Sequence, residues 1–205
     1  MEGQEYLNQI SAATRPVKEP KTKKILTSKL FIFGMVALVL FILMAIVGAI
    51  LGGDKDNEKI LNYHLKLHLD NTAGVIQEYQ TNIKSSDLRS SSSSLNSILT
   101  STSQQLTTYL TEKYAFKDSS IDEKIVEQAN LEKDGLESEL FEAKINGILD
   151  RIYAHKMAYE ISVLMSEETK IMDTTKNEAL DAILETSYSS LKVLYDNFNS
   201  FSETK

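Results

Sequence analysis

Three histidines are the residues best suited to chemistry in this chain: His64, His68 and His155. His64 and His68 are four apart, so on a helix both rings project from one side, a spacing that can hold a metal ion. His68 falls on an apolar stripe and His64 at its edge. His155 lies near the corresponding stripe of a third helical segment. Were those helices to pack at the same height, three imidazoles would converge on zinc or copper. Glu58, Asp70 and Glu160 are carboxylates close by in sequence. The vertical register of two helices far apart in sequence does not follow from periodicity, and edge histidines commonly span core and solvent. The expectation is therefore that His155 stands apart from the His64–His68 pair, that no metal or other cofactor is held, and that no residue is catalytic.

Other chemistries lack their residues. A di-iron bundle needs Glu-x-x-His on two helices, and no such motif occurs. There is no His-Glu-x-x-His, no phosphate-cradling glycine loop and no Gly-x-Ser-x-Gly elbow. The chain has no cysteine, which removes thiol nucleophiles, disulfides and Cys-based metal sites. A formal charge of −7 argues against nucleic acid as a partner. The expectation is a protein that is not an enzyme.

The elements that would position these residues fall into three regions of a 205-residue chain. Residues 1–29 are polar, with a basic excess carried by Arg15, Lys18, Lys21, Lys23, Lys24 and Lys29. Both prolines, Pro16 and Pro20, lie here, and the composition reads as a mostly disordered tail. Residues 30–51, LFIFGMVALVLFILMAIVGAIL, carry no charge, amide or hydroxyl. At about 1.5 Å per residue they reach roughly 33 Å, enough to cross a hydrocarbon core of about 30 Å. A cleaved signal peptide, ending near Val47-Gly48-Ala49, is the competing reading, but its apolar core is usually only about 7–15 residues. The basic tail places the N-terminus in the cytoplasm by the positive-inside rule, and the rest of the chain outside, as a single-pass protein of the cell membrane. Ala45/Ala49 and Gly48/Gly52 are spaced to let membrane helices approach closely, although small residues are common in such helices.

Residues 54–203 are expected to be an antiparallel four-helix-bundle-like domain, giving an all-α chain with one N-terminal transmembrane helix. Leu61, Leu65, His68, Thr72, Ile76, Tyr79 and Ile83 form the first stripe, and Leu88, Leu95, Leu99, Leu106 and Leu110 the second. The third runs Phe141, Ile145, Ile148, Ile152, His155, Tyr159, with a second apolar face through Met157, Ile161 and Leu164. Leu180, Leu184, Leu191, Leu194, Phe198 and Phe201 make the fourth. Ser120-Ile121-Asp122-Glu123 reads as a capping box opening the third helix, Lys133-Asp134-Gly135 as a break or kink within it, and Thr174 or Thr175 as the cap of the fourth. The serine run Ser90–Ser94 admits a flexible linker, but the leucine ladder through it favours helix.

Function is expected to be that of an interaction or structural protein outside the cytoplasmic membrane, partnered by the bilayer through residues 30–51 and by another protein or its own copies. The alternative is a sensory or ligand-binding outer module, like receptors whose outer domain is a four-helix bundle. With one span and a short tail, any signal would pass through a partner. A histidine-based metal-binding bundle is the third reading.

Overall fold

Why the chain turns where it does is clearest around residue 147. The computed structural model describes residues 54–201, with side chains from Glu58 onward. The tail 1–29, the apolar segment 30–51 and the last four residues lie outside this range. Among the described residues there are five α-helices and no strand: α1 (Asp54–Tyr79), α2 (Ser86–Tyr114), α3 (Glu123–Ile145), α4 (Leu149–Thr174) and α5 (Glu178–Asn199). None of these helices is long and apolar enough to cross a membrane. The expected third helix is two. It breaks at Gly147, which sits at φ 71°, while the Gly147 N–H bonds to the Lys144 carbonyl at 3.2 Å and the Ile148 N–H to the Ala143 carbonyl at 3.0 Å. This is the paired C-terminal cap that a left-handed residue permits, and glycine adopts that conformation without a Cβ penalty. Gly135, expected to break the helix, lies inside α3 with open space where a Cβ would be. Nothing there demands glycine, and the helix absorbs its cost of about 1 kcal/mol.

Two caps also differ from expectation. Asp122, not Ser120, caps α3, accepting from the Lys124 N–H at 2.9 Å. Asn177 caps α5, accepting from the Leu180 N–H at 3.0 Å, and Thr175 instead ends α4. The serine-rich segment is helix α2, capped by Ser85. Ser92 is buried there, its hydroxyl returning to the Leu88 carbonyl at 2.9 Å.

Packing joins α1 to α2, α2 to α5, α5 to α4 and α4 back to α1, closing a four-helix ring. Leu65, Leu69, Ile76, Leu95, Leu99, Leu106, Tyr153, Met157, Ile161, Leu184 and Leu191 fill its interior. The face of α4 through Met157, Ile161 and Leu164 is the buried one. Ile148 and Ile152 are only partly buried, and Phe141 and Ile145 face solvent. The fifth helix, α3, lies outside the ring along the seam between α1 and α4. The Asn71 side chain donates to the Ala129 carbonyl and the Tyr79 hydroxyl to the Glu137 carbonyl, so α3 runs parallel to α1. Being covered by α2, α3 and α4 makes α1 buried on nearly every side from Asn62 to Leu69.

Candidate functional site

The seam beneath α3 is where the charged residues of the interior gather. On α1, His64 and His68 project from one side. On α4, Glu160 and Glu167 are seven apart and also share a side. On α3, Glu132 faces inward. The side chains alternate in sign from one helix to the next. His64 Nε2 lies 3.9 Å from Glu132 Oε2, and His64 Nδ1 lies 3.1 Å from Glu167 Oε1. His68 Nδ1 is 3.0 Å from Glu167 Oε2, and His68 Nε2 is 2.9 Å from Glu160 Oε2. The order is Glu132–His64–Glu167–His68–Glu160, spanning three helices. Its His68 end is tightly bonded and its His64 end is looser, since His64 Nε2 and Glu167 Oε1 have no hydrogen-bond partner.

Electrostatics follow from that order. Burial pulls the His68 imidazolium down, but Glu167 and Glu160 more than offset it and hold its pKa well above the ordinary 6.5. The same opposition, with Glu167 and Glu132 outweighing burial and the neighbouring His68, raises His64. Burial alone would raise Glu167, yet the charge of His68 and the contacts from both rings hold its carboxyl at about 2. A small cavity of about 10 Å³, room for about one water, is lined by His68, Asn71, Thr72, Glu132, Lys133 and Glu160 among others.

Glu168, the next residue on α4, is different. It is fully buried in the ring interior, and neither carboxyl oxygen has a hydrogen-bond partner. Burial pushes it up to about 8, against the Ser187 hydroxyl and helped by the charge of Glu167. It is a neutral acid at pH 7.

The sequence candidates divide accordingly. His64 and His68 are brought together with Glu160. His155 is exposed, and it lies about 140° round α4 from Glu160 at 100° per residue, facing away from the seam. Glu58 and Asp70 turn to α2 instead: Glu58 accepts from the Tyr109 hydroxyl at 3.0 Å and Lys113 Nζ at 2.6 Å, and Asp70 accepts from the Ser103 hydroxyl. Among the described residues no group of three or more His, Asp or Glu side chains is placed to hold a metal ion. Glu132, Glu167 and Glu168 escaped the sequence reading. Glu168 left a signal, for it occupies a stripe position between Leu164 and Ile171 that apolar residues otherwise fill.

No protein-family model, curated protein or solved structure matches the chain.

Proposed function

We propose that the chain is a membrane-anchored, non-enzymatic interaction or structural protein, its helical bundle presented outside the cytoplasmic membrane by residues 30–51 with the N-terminus inside. The observation that carries the interaction reading is three exposed apolar side chains on one face of α3, with Asp134 and Ser138 between Leu131 and Phe141 on that face. Leu131, Phe141 and Ile145 are 61%, 55% and 68% exposed. At 100° per residue they fall within an arc of about 80°, opposite the face that buries Ala129, Leu136, Leu140 and Ala143. A single exposed apolar side chain is ordinary, but large apolar residues gathered on one helix face favour an interaction surface. The complementary chemistry is the apolar face of a partner helix.

The test is a photo-crosslinking amino acid placed at position 141 or 145, and at Gln104 as an exposed polar control, in the full chain in its native membrane. A discrete crosslinked protein is expected from 141 and 145 but not from 104, and it should vanish with Leu131→Glu. Equal crosslinking from all three positions, or none, would refute the interaction reading. Protease added outside intact cells should digest residues 52–205, and protection of that region would overturn the orientation. The sensory alternative draws support from a different observation, the ionisable groups enclosed in the α1–α4 seam.

A further inference from the structure

We infer that the corner between α3 and α4 is a latent deamidation site: Asn146 is converted through attack by the Gly147 nitrogen, and the helix cap at this corner guards it while closed. The inference does not depend on what the outer face of α3 binds.

Sequence supplies the reactants. Asn146-Gly147 is the only Asn-Gly pair in the chain. Asparagine is among the thermolabile residues, and its conversion needs the following backbone nitrogen to reach its Cγ. Glycine hinders that approach least, having no side chain to screen its nitrogen. Both residues are exposed, and no heavy atom lies within 4 Å of where a Cβ on Gly147 would stand. Solvent water therefore has access. The steps balance without an oxidant or reductant. The Gly147 nitrogen bonds to Cγ and gives up its proton, the Cγ–Nδ2 bond breaks, and the amide leaves as ammonia carrying that proton. The five-membered succinimide so formed takes up one water. Breaking its new N–Cγ bond gives aspartate. Breaking the original peptide bond instead gives isoaspartate, with the chain rerouted through Cβ.

Geometry supplies the guard. Asn146 has ψ 0°, so the Gly147 nitrogen eclipses the Asn146 nitrogen and stands about a third of a turn from Cβ. Attack needs ψ to turn until the Gly147 nitrogen and Cβ lie on the same side. That rotation carries off everything after Asn146. It pulls the Gly147 N–H from the Lys144 carbonyl and the Ile148 N–H from the Ala143 carbonyl, bonds of 3.2 and 3.0 Å. The side-chain amide must also leave the Glu142 carbonyl, to which Nδ2 donates at 2.8 Å. The cap is thus undone before the new bond can form.

The product does not restore the corner. A carboxylate at 146 has no N–H for the Glu142 carbonyl, and it sets a negative charge at the C-terminus of α3, where unpaired helix carbonyls already gather. Isoaspartate also adds a backbone carbon inside the cap, so the paired bonds across Gly147 lose their register. Conversion is one-way and records openings of this corner.

The test follows the full chain in detergent micelles at about pH 8, beside the same chain unfolded in guanidinium. Proteolysis and mass spectrometry read the exchange of NH2 for OH at residue 146 and the separate isoaspartyl peptide. Conversion is expected in the unfolded chain, and at least about tenfold more slowly in the folded one, as a corner open less than about a tenth of the time requires. Leu149 is buried at this corner, and Leu180 is buried a helix length away at the start of α5. Leu149→Ala should speed conversion of the folded chain several-fold, and Leu180→Ala should leave it nearly unchanged. No conversion in the unfolded chain, equal rates folded and unfolded, or equal effects of the two variants would each overturn the inference. Should either variant fail to fold by circular dichroism, the folded-to-unfolded ratio of the parent decides alone.

Discussion

Replacing Glu168 with glutamine should stabilise the bundle increasingly as pH rises. The folded state keeps the Glu168 proton up to about pH 8, whereas an unfolded glutamate releases it near 4.5. Between these values the unfolded state is favoured by proton release, so this group's contribution to stability is full below pH 4.5 and is lost as pH climbs towards 8. Each unit of pH within that window costs about 1.4 kcal/mol. Glutamine has the same shape and no proton to lose, so the cost vanishes in the variant. Burying the extra amide N–H group adds a penalty, but one that does not vary with pH. The difference between variant and parent should therefore grow by about 3 kcal/mol from pH 5 to pH 7.5, which for a bundle of this size is roughly 6–12 °C in Tm. Urea unfolding of the full chain followed by circular dichroism at both pH values measures it. The histidine chain is present in both proteins and cancels. A variant whose advantage is the same at pH 5 and 7.5 would mean that Glu168 is ionised or solvated in the fold, and the reasoning from its burial would be wrong.

The parent itself should be most stable at mildly acidic pH, because Glu167, held at about 2, withdraws stability below about pH 4.5, while the histidines and Glu168 withdraw it above; a stability maximum above pH 8 would contradict this. Asp150→Ala should cost about 1–3 kcal/mol in urea unfolding, since its carboxylate accepts from the Lys84 N–H at 3.0 Å and the Ser85 N–H at 2.8 Å and so secures the turn between α1 and α2. Ala115 ends α2 at φ 52°, a conformation glycine adopts more easily, so Ala115→Gly should gain about 0.5–1 kcal/mol, and any loss of stability would count against that account. Phe141→Asp and Ile145→Asp should change stability by less than about 0.5 kcal/mol, because both side chains are already in water; unfolding would show them to be core.

Much of the fold was legible because the stripes obey helical period. Leu65, Ile76, Leu99, Leu106, Leu184 and Leu191 are all fully buried. The division of the third helix was not, because Gly135 and Gly147 look alike in sequence and only the backbone conformation at 147 separates them. Phe141 and Ile145 kept core spacing yet face water. Periodicity shows that residues share a face, and it does not show that another helix covers that face. Of the seam, the four-residue spacing of His64 and His68 was visible, and Glu160 stood out only as a carboxylate close in sequence to His155. Glu132 and Glu167 were not, since partners about 70 and 100 positions away depend on which helices pack and at what height.

The placement of α3 outside the ring also sets the order in which the chain can assemble. α1–α2 and α4–α5 are two local hairpins, each joined by a short turn. The ring contacts that remain, α1 to α4 and α2 to α5, link one hairpin to the other. Local contacts form early and distant ones late, because the loop must close first. Assembly is then a docking of two hairpins, and α3 is their tether. A tether of 23 helical residues is about 35 Å long, close to the length of the bundle itself, so it returns the chain from the end where α2 stops to the end where α4 must start. With a short turn in its place the second hairpin would enter beside α2. The helix on the outside therefore decides which neighbour α1 acquires, and through it which acids meet the histidines.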